Sequence, residues 1–179
     1  MRKTEIRNRL LFTALMLPMV LLLAGTSCGQ DLDDTERKSR MMEMYREYAA
    51  EFPGVGDTSP EQALAWAEAG EAVFIDVRAA DEQAVSMIPG ALSREEFLSQ
   101  KDELEGKVLV AYCTIGYRSG QFAQDMEELG LQVLNLQAGV LGWAHAGGRL
   151  RGPDGAPIAR IHVYGRTWNL APKTFEAVW

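Results

Sequence analysis

The apolar and polar residues of the chain follow two patterns: short continuous apolar runs, and apolar residues spaced at helical intervals. Short, continuous apolar runs at 72–77 and 108–112 predict strands. Over 117–129, apolar residues recur instead at intervals of three and four, which predicts an amphipathic helix. Strands without polar alternation belong to sheets that are covered on both faces. The pattern therefore predicts a parallel α/β sheet between helices.

Turn and cap residues divide the rest of the chain into further short elements. The densely charged stretch at 30–40 predicts a solvated spacer that leads into a helix, and that helix has one apolar face formed by Met41, Met44, Tyr45, Tyr48 and Phe52. The remaining predicted elements are, in chain order, a helix capped by Thr58 or Ser59 and ended by Gly70, a short strand after the turn at 88–91, a helix at 93–104, a strand at 132–136, a helix at 139–146 and an extended segment at 158–164.

Cys113 stands where the strand at 108–112 gives way to the helix at 117–129. Backbone N–H groups at a helix start lack intrahelical acceptors and carry the positive end of the helix dipole, so they stabilise a thiolate. Gly116 lets the backbone turn inward, Arg118 adds a fixed cation, and Ser119 is the predicted helix-start residue. The pattern favours a nucleophilic thiolate over the alternative that Cys113 is a small apolar side chain buried at a strand end.

Two charged residues mark the end of the first apolar strand. Asp76 and Arg78 lie at its carboxyl end, which is the edge where open α/β folds place their sites. We expect them to pair and to order the base of the cysteine loop rather than to react.

The amino terminus has the layout of a secretory signal. Met1–Arg9 is basic, the following run to Ala24 is apolar and uncharged, and small residues precede Cys28. We therefore predict a signal peptide over 1–27 and export of the remaining chain. Cys28 resembles the lipid-attachment cysteine of bacterial lipoproteins, although Gly25 stands where such sequences usually have Leu. The resemblance implies a lipid anchor on the periplasmic side of a bacterial membrane, with plain cleavage or a retained membrane anchor as alternatives.

Composition narrows the classes of function. The 179 residues are 47% hydrophobic, which is enough for one domain with a substantial core. The formal net charge of -7 argues against nucleic acid as a partner, because no basic surface is available to neutralise phosphates. His145 and His162 are far apart in sequence and have no cysteine nearby, so we predict neither a metal site nor a cofactor.

Over residues 55–150 the chain resembles the rhodanese-like, or sulfurtransferase, domain. Four motifs in the same order carry the resemblance: IDVR at 75–78, IPGA at 88–91, YCTIGYRSG at 112–120 and LQAGVLGW at 136–143. The resemblance implies a single domain with a five-stranded parallel sheet that is flanked by helices on both faces. It also implies that Cys113 accepts a sulfane sulfur and that the loop 113–118 wraps the persulfide with backbone N–H groups.

Some positions depart from the pattern of the family. Ser86 and Met87 stand before the IPGA turn where the family often has Gly-His, so an imidazole found there in some members is absent. Thr114 follows the cysteine where thiosulfate-preferring members often carry Arg, which weakens the case for thiosulfate as the donor. Phosphatases of related architecture have Arg at the sixth position after the cysteine, whereas here Ser119 is sixth and Arg118 is fifth. The shorter loop favours one transferred sulfur over a phosphoryl group.

These residues lead to a sulfurtransferase hypothesis. The Cys113 thiolate attacks the outer sulfur of a small anionic donor of the thiosulfate or polysulfide type, and a thiol, a protein thiol included, or cyanide removes that sulfur. We expect Arg118 to pair with the anionic donor. The other predicted loop residues that contact substrate are Thr114, Ile115, Gly116, Tyr117 and Ser119. The alternatives are a noncatalytic persulfide carrier or sensor for a protein partner, and a cysteine-dependent phosphatase or arsenate reductase.

The resulting domain organisation has four parts. The signal peptide at 1–27 is followed by a tether and an N-terminal helix at 28–54. The rhodanese-like domain then occupies 55–150. The aromatic residues of 151–179 predict a C-terminal extension that packs on the domain.

Overall fold

The computed structural model describes residues 31–179. The predicted signal peptide at 1–27 and the predicted lipid-attachment residue Cys28 lie outside this range. Among the described residues, no helix is both long and apolar enough to cross a membrane.

Over residues 57–145 strands and helices alternate along the chain, and each of the five strands in this range is followed by a helix. The helices are α1 (Asp34–Ala49), α2 (Pro60–Ala69), α3 (Ala80–Val85), α4 (Arg94–Gln100), α5 (Tyr117–Glu128) and α6 (Gly139–His145), with 3₁₀ turns at Lys101–Glu103 and Arg166–Trp168. The strands are β1 (Asp57–Thr58), β2 (Ala72–Asp76), β3 (Leu92–Ser93), β4 (Val108–Tyr112), β5 (Leu134–Leu136), β6 (Leu150–Arg151), β7 (Pro157–Ile158), β8 (Arg160–His162) and β9 (Glu176–Val178).

Strands β1 to β5 form one parallel sheet in the order β1-β5-β4-β2-β3. The two central strands, β2 and β4, pair along their whole length, from Ala72 opposite Val108 to Asp76 opposite Tyr112. Parallel strands end at the same edge of a sheet, so the residues that follow Asp76 and Tyr112 meet there. The α/β class and the five-stranded parallel sheet predicted from the sequence are confirmed.

Helices cover both faces of this sheet, and successive side chains of the central strands point alternately into two hydrophobic clusters. The larger cluster holds Phe74 and Tyr112 and is covered by α1, α2 and α6. The smaller cluster holds Ile75 and Ala111 and is covered by α4 and α5. Burial on both faces explains why these strands lack polar alternation.

The first helix begins further upstream than the sequence predicted. Asp33 and Glu36 form a capping box, in which each side chain accepts a hydrogen bond from the backbone N–H of the other residue. Such a box satisfies N–H groups at a helix start, and acids there are favoured by the helix dipole. The prediction of a solvated spacer over residues 30–40 is therefore wrong from Asp34 onward, because these residues form the first turns of α1.

The C-terminal segment packs on the larger hydrophobic cluster. Strands β8 and β9 pair in parallel, and the adjacent β6 and β7 form a short antiparallel ribbon. Ile161, Val163, Leu170 and Ala171 are almost completely buried in the same cluster as Tyr112. The C-terminal residues are thus part of the domain's core.

A buried ion pair stabilises the edge of the sheet where β2 and β4 end. The side chains of Asp76 and Arg78 have no exposed surface, and Arg78 Nη2 lies 2.7 Å from Asp76 Oδ2. The hydroxyl of Tyr112 donates to the same Asp76 oxygen at 2.7 Å and accepts from the backbone N–H of Ile88 at 3.1 Å. Arg78 also donates to the carbonyl of Ser86. The pair therefore joins the end of β4 to the chain on both sides of α3.

We expect Asp76→Asn to lower the free energy of unfolding by about 3–5 kcal/mol, because it leaves the buried Arg78 guanidinium without its counter-charge. Urea denaturation followed by circular dichroism measures the change. Glu176→Gln is the matched control, because the Arg160–Glu176 pair lies at the surface and such pairs contribute less than about 1 kcal/mol. Equal losses in the two variants would show that the buried pair has no special role.

Candidate active site

The loop that carries Cys113 connects the end of β4 to the start of α5. The backbone of Gly116 has a φ of 111°, a conformation that residues with a side chain rarely adopt. A Cβ at this position would also lie 2.7 Å from the ring of Tyr45 on α1. In this conformation the N–H of Gly116 donates to Sγ of Cys113 at 3.2 Å. The glycine is therefore required for the loop to direct an amide at the sulfur.

The start of α6 holds the other side of the loop. The N–H of Val140 donates to the carbonyl of Cys113 at 2.8 Å, and the N–H of Leu141 donates to the carbonyl of Thr114 at 3.3 Å. Gly139 lies against the Cys113 carbonyl so closely that a Cβ would clash with it. Because the loop carbonyls are satisfied by α6, they point away from the cysteine side chain. This close approach explains why Gly139, the first glycine of the LQAGVLGW motif, has no side chain.

Ser119 does not cap the helix as the sequence predicted. Gly116 is the N-cap, so Ser119 is the third residue of α5 and is completely buried. Its hydroxyl donates to Oδ1 of Asn135 at 2.7 Å, and Nδ2 of Asn135 donates to the carbonyl of Gly116 at 2.9 Å. Ser119 therefore acts through Asn135 to fix the loop, and it does not line the cavity described below.

Cys113 lines a cavity of about 370 Å³. Only 2% of the cysteine surface is exposed, yet Cys113, Thr114, Ile115, Tyr117 and Arg118 all line this cavity. The sulfur is thus not enclosed by hydrocarbon alone: it accepts a backbone hydrogen bond from Gly116, and its residue lines a cavity. That combination suits a nucleophile that must reach a bound molecule.

Glu82 on α3 is the acidic partner of Arg118. Nη1 and Nη2 of the guanidinium donate to the two carboxylate oxygens at 2.6 and 2.8 Å. The hydroxyl of Thr114 donates to Oε1 at 3.2 Å and accepts from Nη2 of Arg118, also at 3.2 Å. Among the described residues no salt bridge joins Arg118 to Asp125, the acid that lies two helix turns beyond it on α5. Arg118 therefore stands beside Cys113 with its charge already compensated.

The ionisation of these two groups follows from their contacts. Burial by itself would raise the pKa of Glu82, but hydrogen bonds from Arg118 and from the backbone of Ala79, with the positive charges of Arg118 and Arg78, lower it to about 2. The hydrogen bond to Glu82 also raises the pKa of Arg118, and the neighbouring Cys113 adds to this increase. The pair is thus fully ionised at neutral pH.

Aromatic side chains form the walls of the cavity. Tyr48 of α1 meets Tyr117 edge to face, with 5.6 Å between ring centroids. On the other side Tyr164 meets Trp168 in the same way at 5.4 Å. The ring of Tyr164 also lies 5.4 Å from the guanidinium carbon of Arg118. The cavity is therefore lined by two pairs of rings, and the guanidinium of Arg118 lies against one ring of the second pair.

The structure separates the remaining predicted residues from the sulfur. Asp76 and Arg78 pair with each other behind the loop and do not line the cavity, so their geometry is that of a support. His162 lies 3.8 Å from Oε1 of Glu82, and its Nδ1 accepts from the backbone N–H of Tyr164. His145 instead contacts the carbonyl of Leu170.

Sequence reasoning missed Glu82 and the aromatic residues Tyr48, Tyr164 and Trp168. A signal for Glu82 was available, because it follows the carboxyl end of β2, which is the same sheet edge as Cys113. The three aromatic residues come from the two ends of the described chain, and no spacing pattern connects them with residues 113–118. Their position depends on how α1 and the C-terminal segment pack.

Known proteins that are similar to this chain include rhodanese-like domains and sulfurtransferases. A family model described as Rhodanese-like domain matches residues 59–146. A sulfurtransferase of Allochromatium vinosum is 31% identical over 93 residues, which cover 50% of this chain and 87% of that protein. An HTH-type transcriptional regulator of Mycobacterium tuberculosis is 34% identical over 111 residues, which cover 56% of this chain but only about half, 48%, of the regulator. The crystal structure of a thiosulfate sulfurtransferase from Pseudomonas aeruginosa is similar with a TM-score of 0.50 and 25% identity, and the match covers 69% of this chain and 24% of that one.

The lowered pKa of Glu82 predicts a dependence of stability on acid pH. Between pH 2 and pH 4.5 the carboxyl of Glu82 is protonated in the unfolded chain, where its pKa is near 4.5, but ionised in the folded protein, where its pKa is about 2. The contribution of this group, about 3 kcal/mol, is therefore complete above pH 4.5 and is lost as the pH falls towards 2. The difference in free energy of unfolding between the wild type and Glu82→Gln, measured by urea denaturation at several pH values, should shrink over this range. A difference that stays constant from pH 5 to pH 2.5 would contradict the assignment.

Proposed function

The chain belongs to the rhodanese-like domain family, a family of sulfurtransferase type, and we propose that it transfers a sulfane sulfur from an anionic donor to a thiol or cyanide through a persulfide on Cys113. One observation carries the proposal: Sγ of Cys113 accepts a hydrogen bond from the Gly116 amide at the start of α5, and Cys113 and Arg118 line the same cavity. A sulfur in this position has its negative charge stabilised and remains accessible to a bound donor.

In the proposed first step the Cys113 thiolate attacks the outer sulfur of thiosulfate or of a polysulfide. A bond forms between Sγ and that sulfur, the bond to the rest of the donor breaks, and sulfite or the shortened polysulfide leaves with the electron pair. The Gly116 amide and the dipole of α5 stabilise the negative charge before and after transfer. Arg118 attracts the donor, but with less force than a free cation because Glu82 compensates its charge.

In the second step a thiolate or cyanide attacks the outer sulfur of the persulfide. The new bond to the acceptor forms as the bond to Sγ breaks, and Cys113 returns as a thiolate, so no oxidant or reductant is consumed. Repeated turnover distinguishes this enzyme from a carrier, which would hold one sulfur until its protein partner removes it. The open cavity at Sγ favours the enzyme, because it admits a small acceptor directly.

We further propose that the protein is exported and attached to the periplasmic side of a bacterial membrane. The support is the sequence pattern of 1–28: a basic start, an apolar run and small residues before Cys28. Lipid attachment at Cys28 would consume that thiol and leave Cys113 as the reactive cysteine of the exported chain. Sulfur transfer from thiosulfate or polysulfide to a thiol consumes no cytoplasmic cofactor, so the proposed reaction is compatible with that compartment.

Replacing Cys113 by Ser should abolish sulfur transfer, because a hydroxyl at this position forms no persulfide. Thiocyanate production from polysulfide or thiosulfate with cyanide should fall to the uncatalysed rate, and intact mass spectrometry should show no added sulfur after donor treatment. Circular dichroism and urea denaturation check that the variant folds. Thiocyanate production by a folded Cys113→Ser protein would end the proposal.

Replacing Glu82 by Gln should strengthen the binding of an anionic donor, because it leaves one uncompensated positive charge on Arg118. We expect KM for thiosulfate to fall by about fivefold, which corresponds to roughly 1 kcal/mol of attraction. Asp125→Asn is the matched control, since it removes one negative charge on α5 without breaking a salt bridge to Arg118. An equal fall in both variants would indicate a general effect of net charge, and no change in either would show that Arg118 does not contact the donor.

A further inference from the structure

Three of the four aromatic residues that line the cavity beside Cys113 lie outside the region that matches the family model. Tyr48 lies before residues 59–146, and Tyr164 and Trp168 lie after them. The sulfur-binding loop is thus shared with the family, whereas most of the aromatic surface in front of it belongs to the two flanking segments. Those segments decide which molecules can approach the sulfur.

The size of the cavity exceeds what a sulfane sulfur or cyanide requires. Its volume of about 370 Å³ falls in the range of sites that hold small organic molecules, roughly 300–1,000 Å³. Water occupies about 30 Å³ per molecule in the liquid, so the space corresponds to roughly a dozen waters. A substrate that fills it carries an organic substituent.

The charge of the cavity points to an uncharged substituent. Arg118 is the cationic residue among those that line it, and both of its terminal nitrogens bond to the Glu82 carboxylate. An acidic substituent would therefore find a cation already paired, and it would lose hydration against the neighbouring rings. An apolar substituent instead replaces water on ring surfaces, which is favourable.

The rings are held in position by the fold. Tyr117 contacts both Tyr48 and Phe52 edge to face, which fixes the wall on the side of α1. On the opposite side Tyr164 has a φ of 65°, a backbone conformation that residues other than glycine rarely adopt. Its ring lies against Trp168 and over the guanidinium of Arg118. Two aromatic pairs, of which the rings of Tyr117 and Tyr164 are partly exposed to solvent, therefore line the cavity beside Cys113.

We propose that the acceptor is an apolar organic thiol whose alkyl or aryl substituent packs between the Tyr48–Tyr117 pair and the Tyr164–Trp168 pair. This inference rests on the proposed function, because it identifies the molecule that removes sulfur from the Cys113 persulfide. The thiolate of the acceptor attacks the outer sulfur, a new sulfur–sulfur bond forms on the acceptor, and the bond to Sγ breaks. The products are the organic persulfide and the Cys113 thiolate, so charge and electrons balance.

The test compares thiols that differ in their substituents. Cys113 is loaded with sulfur from inorganic polysulfide, excess donor is removed, and discharge is followed with benzyl mercaptan, 2-mercaptoethanol, 3-mercaptopropionate and cyanide. Cyanide is the internal reference because it is too small to contact both walls. We expect the second-order rate constant of discharge by benzyl mercaptan, relative to that by cyanide, to exceed those of the two other thiols by about tenfold or more, mainly through a lower half-saturation concentration.

Variants connect this preference with the aromatic walls. Trp168→Ala and Tyr48→Ala should each remove most of the advantage of benzyl mercaptan over 2-mercaptoethanol. Trp179→Ala is the matched control, because Trp179 is an exposed tryptophan of the same C-terminal segment that does not line the cavity. The control should retain the full advantage.

The outcomes separate this inference from the function on which it rests. If sulfur loads on Cys113 and cyanide removes it, but the three thiols react at equal rates or the carboxylate thiol reacts fastest, the sulfurtransferase stands and the apolar acceptor is overturned. A preference for benzyl mercaptan that survives both wall variants overturns the proposed binding position. Failure to load any sulfur on Cys113 overturns both proposals together.

Discussion

The buried network of Asp76, Arg78 and Tyr112 is the interaction on which the site depends. It forms because the parallel register of β2 and β4 places Asp76 directly opposite Tyr112 at the end of the sheet. Through Arg78 and the Tyr112 hydroxyl, the network also binds the backbone of Ser86 and Ile88 after α3. The position of α3 is thus fixed relative to the residue that precedes Cys113. Without that connection Glu82 on α3 would have no defined place beside the cysteine loop.

Electrostatic compensation within the site limits what Arg118 contributes. A free guanidinium beside a thiolate would attract any small anion, but it would also sample several rotamers, and fixing one of them on binding would cost entropy. The bidentate contact with Glu82, supported by Thr114, holds Arg118 in one orientation next to the sulfur. The site therefore gains a preorganised cation at the expense of net positive charge. Selectivity for anionic molecules is weakened as a result, and the shape of the cavity becomes more important.

The sequence predicted the architecture well because its strongest signals are local. The apolar runs of β2 and β4, the glycine and cysteine between β4 and α5, and the four motifs all lie within short stretches. Contacts between distant segments were beyond such reasoning: Glu82 and Arg118 are 36 residues apart, and no local pattern connects them. Ser119 illustrates the same limit. Its type favours a helix cap, but tertiary packing buries it and gives its hydroxyl to Asn135.

The rhodanese-like domain and its flanking segments contribute different parts of the site, and there is a physical reason for this difference. Stabilising a sulfur anion requires backbone amides and a helix start, and these come from the β4–α5 junction of the sheet, which tolerates little change. Recognition of a substituent requires only surfaces near that junction, which a helix and a C-terminal segment packed on the same core can supply. Here α1 and the residues around Tyr164 are attached to the larger cluster by fully buried side chains such as Met41 and Ile161. Core packing far from the sulfur thus determines the walls of the cavity, whereas the chemistry at the sulfur is set by the loop itself.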